Sequence, residues 1–169
     1  DSYTRADPND QKSFRIRATV RPFPGPGLLR GLRLTAYSDQ DHTVKNADRD
    51  RFIASVLYEH KYVNAYYSYL KTSDQVTTKA LEVEADGYSF WITPRSTFGL
   101  EGLFRYDNLR PNKDQPGHKK RYIAGVAYWF PTIRTGIATA LLLDWEELKY
   151  DGFLPGNANF KPTERRIAL

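Results

Sequence analysis

Four groups of side chains in this sequence could do chemistry, and their spacing decides what kind. Glu82, Glu84 and Asp86 place carboxyl groups at alternate positions of one segment. Glycoside hydrolysis needs two carboxyls about 5–9.5 Å apart across a cleft, and alternate residues of a strand lie about 6.7 Å apart. Spacing alone permits such a pair, but acids along one strand share a wall and do not face each other, so a hydrated lining is expected. Asp39, Asp41, Asp48 and Asp50 gather in a polar stretch that could meet a divalent cation. They lack the Asp-x-Asp-x-Asp-Gly order of a calcium loop, so a solvated loop is expected. His42, His60 and His118 are scattered, without partners at metal-ligand or triad spacing. Cysteine is absent, which removes thiolate ligands, thiol nucleophiles and disulfides. No enzyme centre, cofactor or metal site is read from these residues.

The fourth group is cationic: Arg15, Arg17 and Arg21 on one segment, with Arg33 on the next. At alternate positions of a strand they form a row on one side. Such a row either favours anions in a water-filled pore or pairs with carboxylates such as Glu101. The net charge of +5 is spread among 20 acidic residues without a basic block or a nucleic-acid module, so nucleic acid is not an expected partner.

The elements that must position these groups show period two from end to end. Segments near 12–21, 29–38, 51–59, 62–71, 80–91, 97–107, 120–130 and 136–147 alternate apolar and polar residues, and a ninth starts near Arg165. In the first, Phe14, Ile16, Ala18 and Val20 oppose the arginines. In the sixth and seventh, Leu100, Gly102, Phe104, Tyr122, Ala124 and Val126 oppose Glu101, Arg105 and Arg121. In the fifth, Leu81, Val83, Ala85 and Gly87 are grouped with Trp91 as the apolar phase against the acids. Short joints are expected at Pro22–Leu28, His60–Lys61, Ile92–Ser96 and Pro131–Thr135, and long polar loops at Asp39–Asp50, Thr72–Lys79, Asn108–Lys119 and Leu148–Glu164.

No run approaches the roughly 18 apolar residues of a membrane-spanning helix. Mean hydropathy is −0.63, which a transmembrane β-barrel also gives, because its strands of about 10 residues are apolar only at every second position. Alternating short turns and long loops, with aromatics Phe98, Tyr106, Tyr122 and Phe130 at strand ends, point to an up-and-down barrel with interfacial girdles. The expected fold is therefore an all-β, antiparallel transmembrane barrel in a Gram-negative outer membrane, touching lipid outside and small solutes or anions inside. A soluble β-sandwich or lipocalin-like binder is the alternative.

Nine antiparallel strands cannot close edge to edge, since the first and ninth would run parallel, and an open edge in lipid is costly. Residues 1–169 are accordingly expected to be a single barrel domain of about nine strands, incomplete at both ends. The run Gly99-Leu-Glu-Gly-Leu-Phe-Arg-Tyr-Asp-Asn-Leu-Arg-Pro-Asn112, followed by Arg121-Tyr-Ile-Ala-Gly-Val-Ala-Tyr-Trp-Phe-Pro131 and Ala140-Leu-Leu-Leu-Asp-Trp-Glu146, resembles the C-terminal part of the phosphate-selective porins. The resemblance implies a barrel of about 16 strands, often a homotrimer, with a basic pore lining. The acidic row Glu82, Glu84 and Asp86 departs from that pattern.

Overall fold

The computed structural model describes residues 12–130, 139–153 and 161–168. They form one antiparallel sheet whose nine strands follow each other in sequence order. The strands are β1 (Phe14–Val20), β2 (Leu32–Val44), β3 (Ala47–His60), β4 (Val63–Asp74), β5 (Val83–Pro94), β6 (Leu100–Arg110), β7 (His118–Phe130), β8 (Thr139–Asp151) and β9 (Thr163–Ala168). A 3-10 turn at Leu28–Gly31 is the one helical piece among the described residues. It packs so close to β3 that a Cβ on Gly31 would collide with the carbonyl of Glu59. No described helix is long and apolar enough to cross a membrane, which says nothing about strands. Among the described residues β1 pairs only with β2 and β9 only with β8, so the sheet is open.

Two expected connections differ in kind, and others shift at their ends, with Ile92–Pro94 belonging to β5 and Leu148–Asp151 to β8. Asp39–Asp50 is not a loop: β2 and β3 stay paired as far as Val44 and Ala47, leaving only Lys45 and Asn46 to turn the chain. Its polar composition reads as loop, yet ladder hydrogen bonds need no apolar side chains. Cross-strand polar contacts stand in for them: His42 lies 3.3 Å from Asp48 across the hairpin, and Arg49 and Arg51 each reach Asp74 on β4 at 3.7 Å. Conversely, the stretch between β1 and β2 is long enough to hold the 3-10 turn, so short and long joints do not alternate strictly. The expected turn at Pro131–Thr135 and most of the loop around Asn157 lie outside the described residues.

Asn46 carries φ 61°, the left-handed region that asparagine enters more readily than branched residues. Asn46→Val is expected to weaken the β2–β3 tip by about 1–2 kcal/mol. Faster amide exchange confined to residues near 42–50 would report it; unchanged protection there would refute the assignment of strain.

The sheet has almost no core of its own. Among the described residues Ala47 is the one buried apolar residue, and no large side chain is fully buried. One face collects Ile16, Val20, Leu34, Phe52, Val56, Tyr67, Tyr88, Phe104, Val126, Leu141 and Leu143, all exposed. Leu141 and Leu143 are 55% and 45% accessible, which water alone would not favour. The edge of this apolar band slants across the strands. Phe52 ends it on β3, Tyr69 and Tyr88 one row of paired residues further along, Tyr106 and Tyr122 one row beyond that, and Trp145 one row beyond again. Tyr67, Tyr88, Tyr106 and Tyr122 follow this edge as a chain of ring contacts, with centroids 6.5, 5.8 and 4.9 Å apart. At the opposite edge stand Tyr58 with His60 at 6.2 Å, His60 with Tyr62 at 5.5 Å, and Tyr128 with Phe130 at 5.1 Å.

Candidate functional site: the polar face of the sheet

Cross-strand pairing decides which side chains share the other face. Arg15 and Arg17 on β1, Arg33 on β2, Glu101 and Arg105 on β6, and Arg121 on β7 lie on it together, as their alternation implies. Arg21 lies beyond the end of β1, and Glu82 precedes β5, where it accepts a hydrogen bond from Ser73. Glu84 and Asp86 do not belong to this face. Tyr69 pairs with Tyr88, Tyr67 with Phe90 and Lys71 with Asp86, so the two acids share the side of the tyrosine row, past its edge. There Asp86 takes Arg110 Nη2 at 2.8 Å and Glu84 takes Lys113 Nζ at 3.0 Å. That hydrogen bond is the main reason the Lys113 ammonium titrates above its usual range. The alternation in β5 is real, but its apolar residues change sides between Gly87 and Tyr88. Tyr88, Phe90 and Ile92, which match the band on the neighbouring strands, are the signal that fixes the phase.

The aspartates of the β2–β3 hairpin are split in the same way. Asp39 and Asp41 point with Arg15, whereas Asp48 and Asp50 pair with His42 and Gln40 on the opposite side. They do not converge on one cation. His42, His60 and His118 remain apart on β2, β3 and β7.

Most of the polar-face arginines are answered by carboxylates. Arg15 Nε donates to Asp39 at 2.9 Å, where Tyr37 also donates at 3.2 Å. Arg33 meets Glu59 at 2.5 Å, and Arg95 meets Glu101 at 3.1 Å. Arg121 and Arg166 share Glu146, each at 2.5 Å, tying β7, β8 and β9 together. Arg17 has no carboxylate partner among the described residues.

Between these pairs runs a feature that reading each strand separately does not reveal. Thr19, Thr35, Ser55, Ser68 and Ser89 are successive partners along one row, which continues into Asp107 and Arg121. Thr19 and Thr35 hydroxyls are 2.9 Å apart, and Ser89 donates to Asp107 at 2.5 Å. The next row sets Tyr66 beside Trp91 and Arg105, and the two rings stack with centroids 5.7 Å apart and planes 21° apart. A small hydroxyl or threonine in the polar phase of each of β1 to β5 was the available clue.

Arranged this way, the face offers fixed hydroxyls, two aromatic rings and compensated charges. No family model, curated protein or solved structure matches the chain.

Proposed function

We propose that this sheet is part of an outer-membrane β-barrel that forms a water-filled channel for passive diffusion of small hydrophilic solutes. Its apolar face meets lipid and its polar face meets the lumen. The likeness to phosphate-selective porins belongs to the same proposal.

The observation that carries the reading is the slant of the exposed apolar band and of its tyrosine edge. One row is two residues, about 6.7 Å along a strand, and strands lie about 4.8 Å apart. From Phe52 on β3 to Trp145 on β8 the tip-side edge shifts by three rows over five strand gaps, and from Leu32 on β2 to Phe130 on β7 the other edge shifts by three rows over five. These drifts correspond to strands inclined by roughly 40° to the normal of the band. Barrels in outer membranes tilt by roughly 35–45° so that a level lipid slab crosses their strands obliquely. Along β7 the band runs from Tyr122 to Phe130, about 27 Å of strand and, at that tilt, about 21 Å of height, comparable with the apolar height of about 25 Å in such barrels. A β3 of 14 residues exceeds the roughly 9–11 residues a tilted span needs. Its surplus is the charged hairpin end, which suits water beyond the lipid.

Single cysteines in the full-length protein test the reading on intact cells. Lys45→Cys and Lys113→Cys, at the tips of β2–β3 and β6–β7, are expected to react with an impermeant maleimide. Lys61→Cys and Thr97→Cys, at the other end of the sheet, are expected to stay unlabelled until the cells are broken. Labelling of Thr97→Cys on intact cells, or none at all at Lys45→Cys, would overturn the orientation.

A further inference from the structure

We infer that Tyr66, Ser68, Ser89, Trp91 and Asp107 form a subsite for a neutral, polyhydroxylated ring such as a pyranose sugar. This deepens the channel proposal by naming a solute class, and it rests on that proposal only for the statement that the solute passes this face.

The five residues occupy three adjacent strands. β4 supplies Tyr66 and Ser68, β5 supplies Ser89 and Trp91, and β6 supplies Asp107 together with Arg105. Two rows on three strands make a patch of about 7 by 10 Å, on the scale of one pyranose with its substituents. The stacked rings of Tyr66 and Trp91 are partly buried and partly accessible at one side of it. An aromatic face carries partial negative charge, so it attracts the polarised C–H face of a sugar and repels phosphate or carboxylate.

The polar half of the patch matches hydroxyl groups and not ions. Arg105 Nε is spent on both oxygens of Asp107, at 3.0 and 2.9 Å, so its positive charge is compensated on the spot. The same carboxylate receives Ser89, and with about four lone-pair sites it keeps acceptor capacity for a solute hydroxyl. Ser68, next to Ser89 on the hydroxyl row, makes no side-chain hydrogen bond among the described residues and is free to donate or accept. Small-molecule sites combine apolar and aromatic lining with a few placed polar groups in this manner. The row of Thr19, Thr35 and Ser55 leads up to the patch from β1 to β3, extending the neutral hydrogen-bonding surface.

The test uses full-length protein in detergent with Trp129→Phe and Trp145→Phe, which leaves Trp91 as the reporter within this segment. Maltose is the probe and sodium phosphate the comparison, and the same preparation is reconstituted in planar bilayers for conductance. Maltose is expected to shift Trp91 emission saturably and to reduce single-channel current with the same concentration dependence. Tyr66→Ala should weaken both about tenfold, Tyr66→Phe should leave both intact, and phosphate should not compete. Normal conductance with Trp91 emission unmoved by maltose, or a shift produced by phosphate in its place, would overturn the sugar subsite while leaving the channel standing. A saturable Trp91 shift without conductance would keep the subsite and sink the channel.

Discussion

Val56→Arg is expected to destabilise the full-length protein folded in lipid by about 2–4 kcal/mol, the cost of a guanidinium near the bilayer midplane. Ser55→Arg, one residue before, should change stability by only about 0.5 kcal/mol. Val56 lies inside the apolar band between Leu34 and Tyr67, whereas Ser55 sits between Thr35 and Ser68 on the hydroxyl row. A protein core packed on the apolar face would also penalise Val56→Arg, so depth is what separates the two accounts. Ser73→Arg is on the same face, between Asp50 and Glu84 and one row past Phe52. In lipid its cost should fall to about 0–1 kcal/mol, as for cations near the interface. Guanidinium titrations in phospholipid vesicles measure all three. Equal losses at Val56 and Ser73, or cooperative folding in buffer without lipid or detergent, would remove the membrane from the account.

Much of the strand plan is legible in the sequence because each strand sorts its own residues. Tyr122, Ala124, Val126 and Tyr128 cannot share a helical stripe with so little interruption, and their alternation with Arg121, Ile123 and Gly125 fixes β7 without reference to any neighbour. The polar hairpin is less legible. Asp39 to Asp50 contains the residues that loops use, and the cross-strand contacts that accompany the ladder, His42 with Asp48 and Arg49 and Arg51 with Asp74, are set by register and not by composition. β5 fails for a third reason. Its two halves bury different sides, so Val83 and Ala85 favour one phase and Phe90 and Ile92 the other, and the choice depends on Tyr67 and Tyr69 across the sheet.

The candidate site was legible in part for the same reason. Arg15, Arg17, Arg33, Arg105 and Arg121 could be placed on one face from alternation alone, but their partners could not, since Glu146 comes to Arg121 only through the β7–β8 register. The patch around Trp91 depends on three registers at once. No spacing within one segment encodes it, although the coincidence of a small polar residue in the polar phase of β1 to β5 hints at the row.

In the proposed channel, charge pairing also decides how ions should be treated. Arg15 and Arg17 are about 6.7 Å apart along β1, yet they are not equivalent: Arg15 lies 2.9 Å from Asp39 and 3.8 Å from Asp41, while Arg17 faces no described carboxylate. That channel is expected to prefer anions weakly, with Arg17 the larger contributor from this wall. Arg17→Glu should move the zero-current potential in a salt gradient toward cations. Arg15→Glu should move it less, because a third carboxylate beside Asp39 and Asp41 raises the affinity of the group for a proton and part of the new charge is neutralised. Asp39→Asn, which releases Arg15, should move the potential the other way. Each shift should shrink as salt rises from about 0.1 to 1 M, where the Debye length falls from about 10 to 3 Å. Glu84→Gln supplies the contrast, because Glu84 lies past the tyrosine edge on the opposite face and its charge should leave the potential almost unchanged. Should Glu84→Gln shift the potential as far as Arg17→Glu, the two faces would have to be exchanged, with the arginine side no longer the lumen.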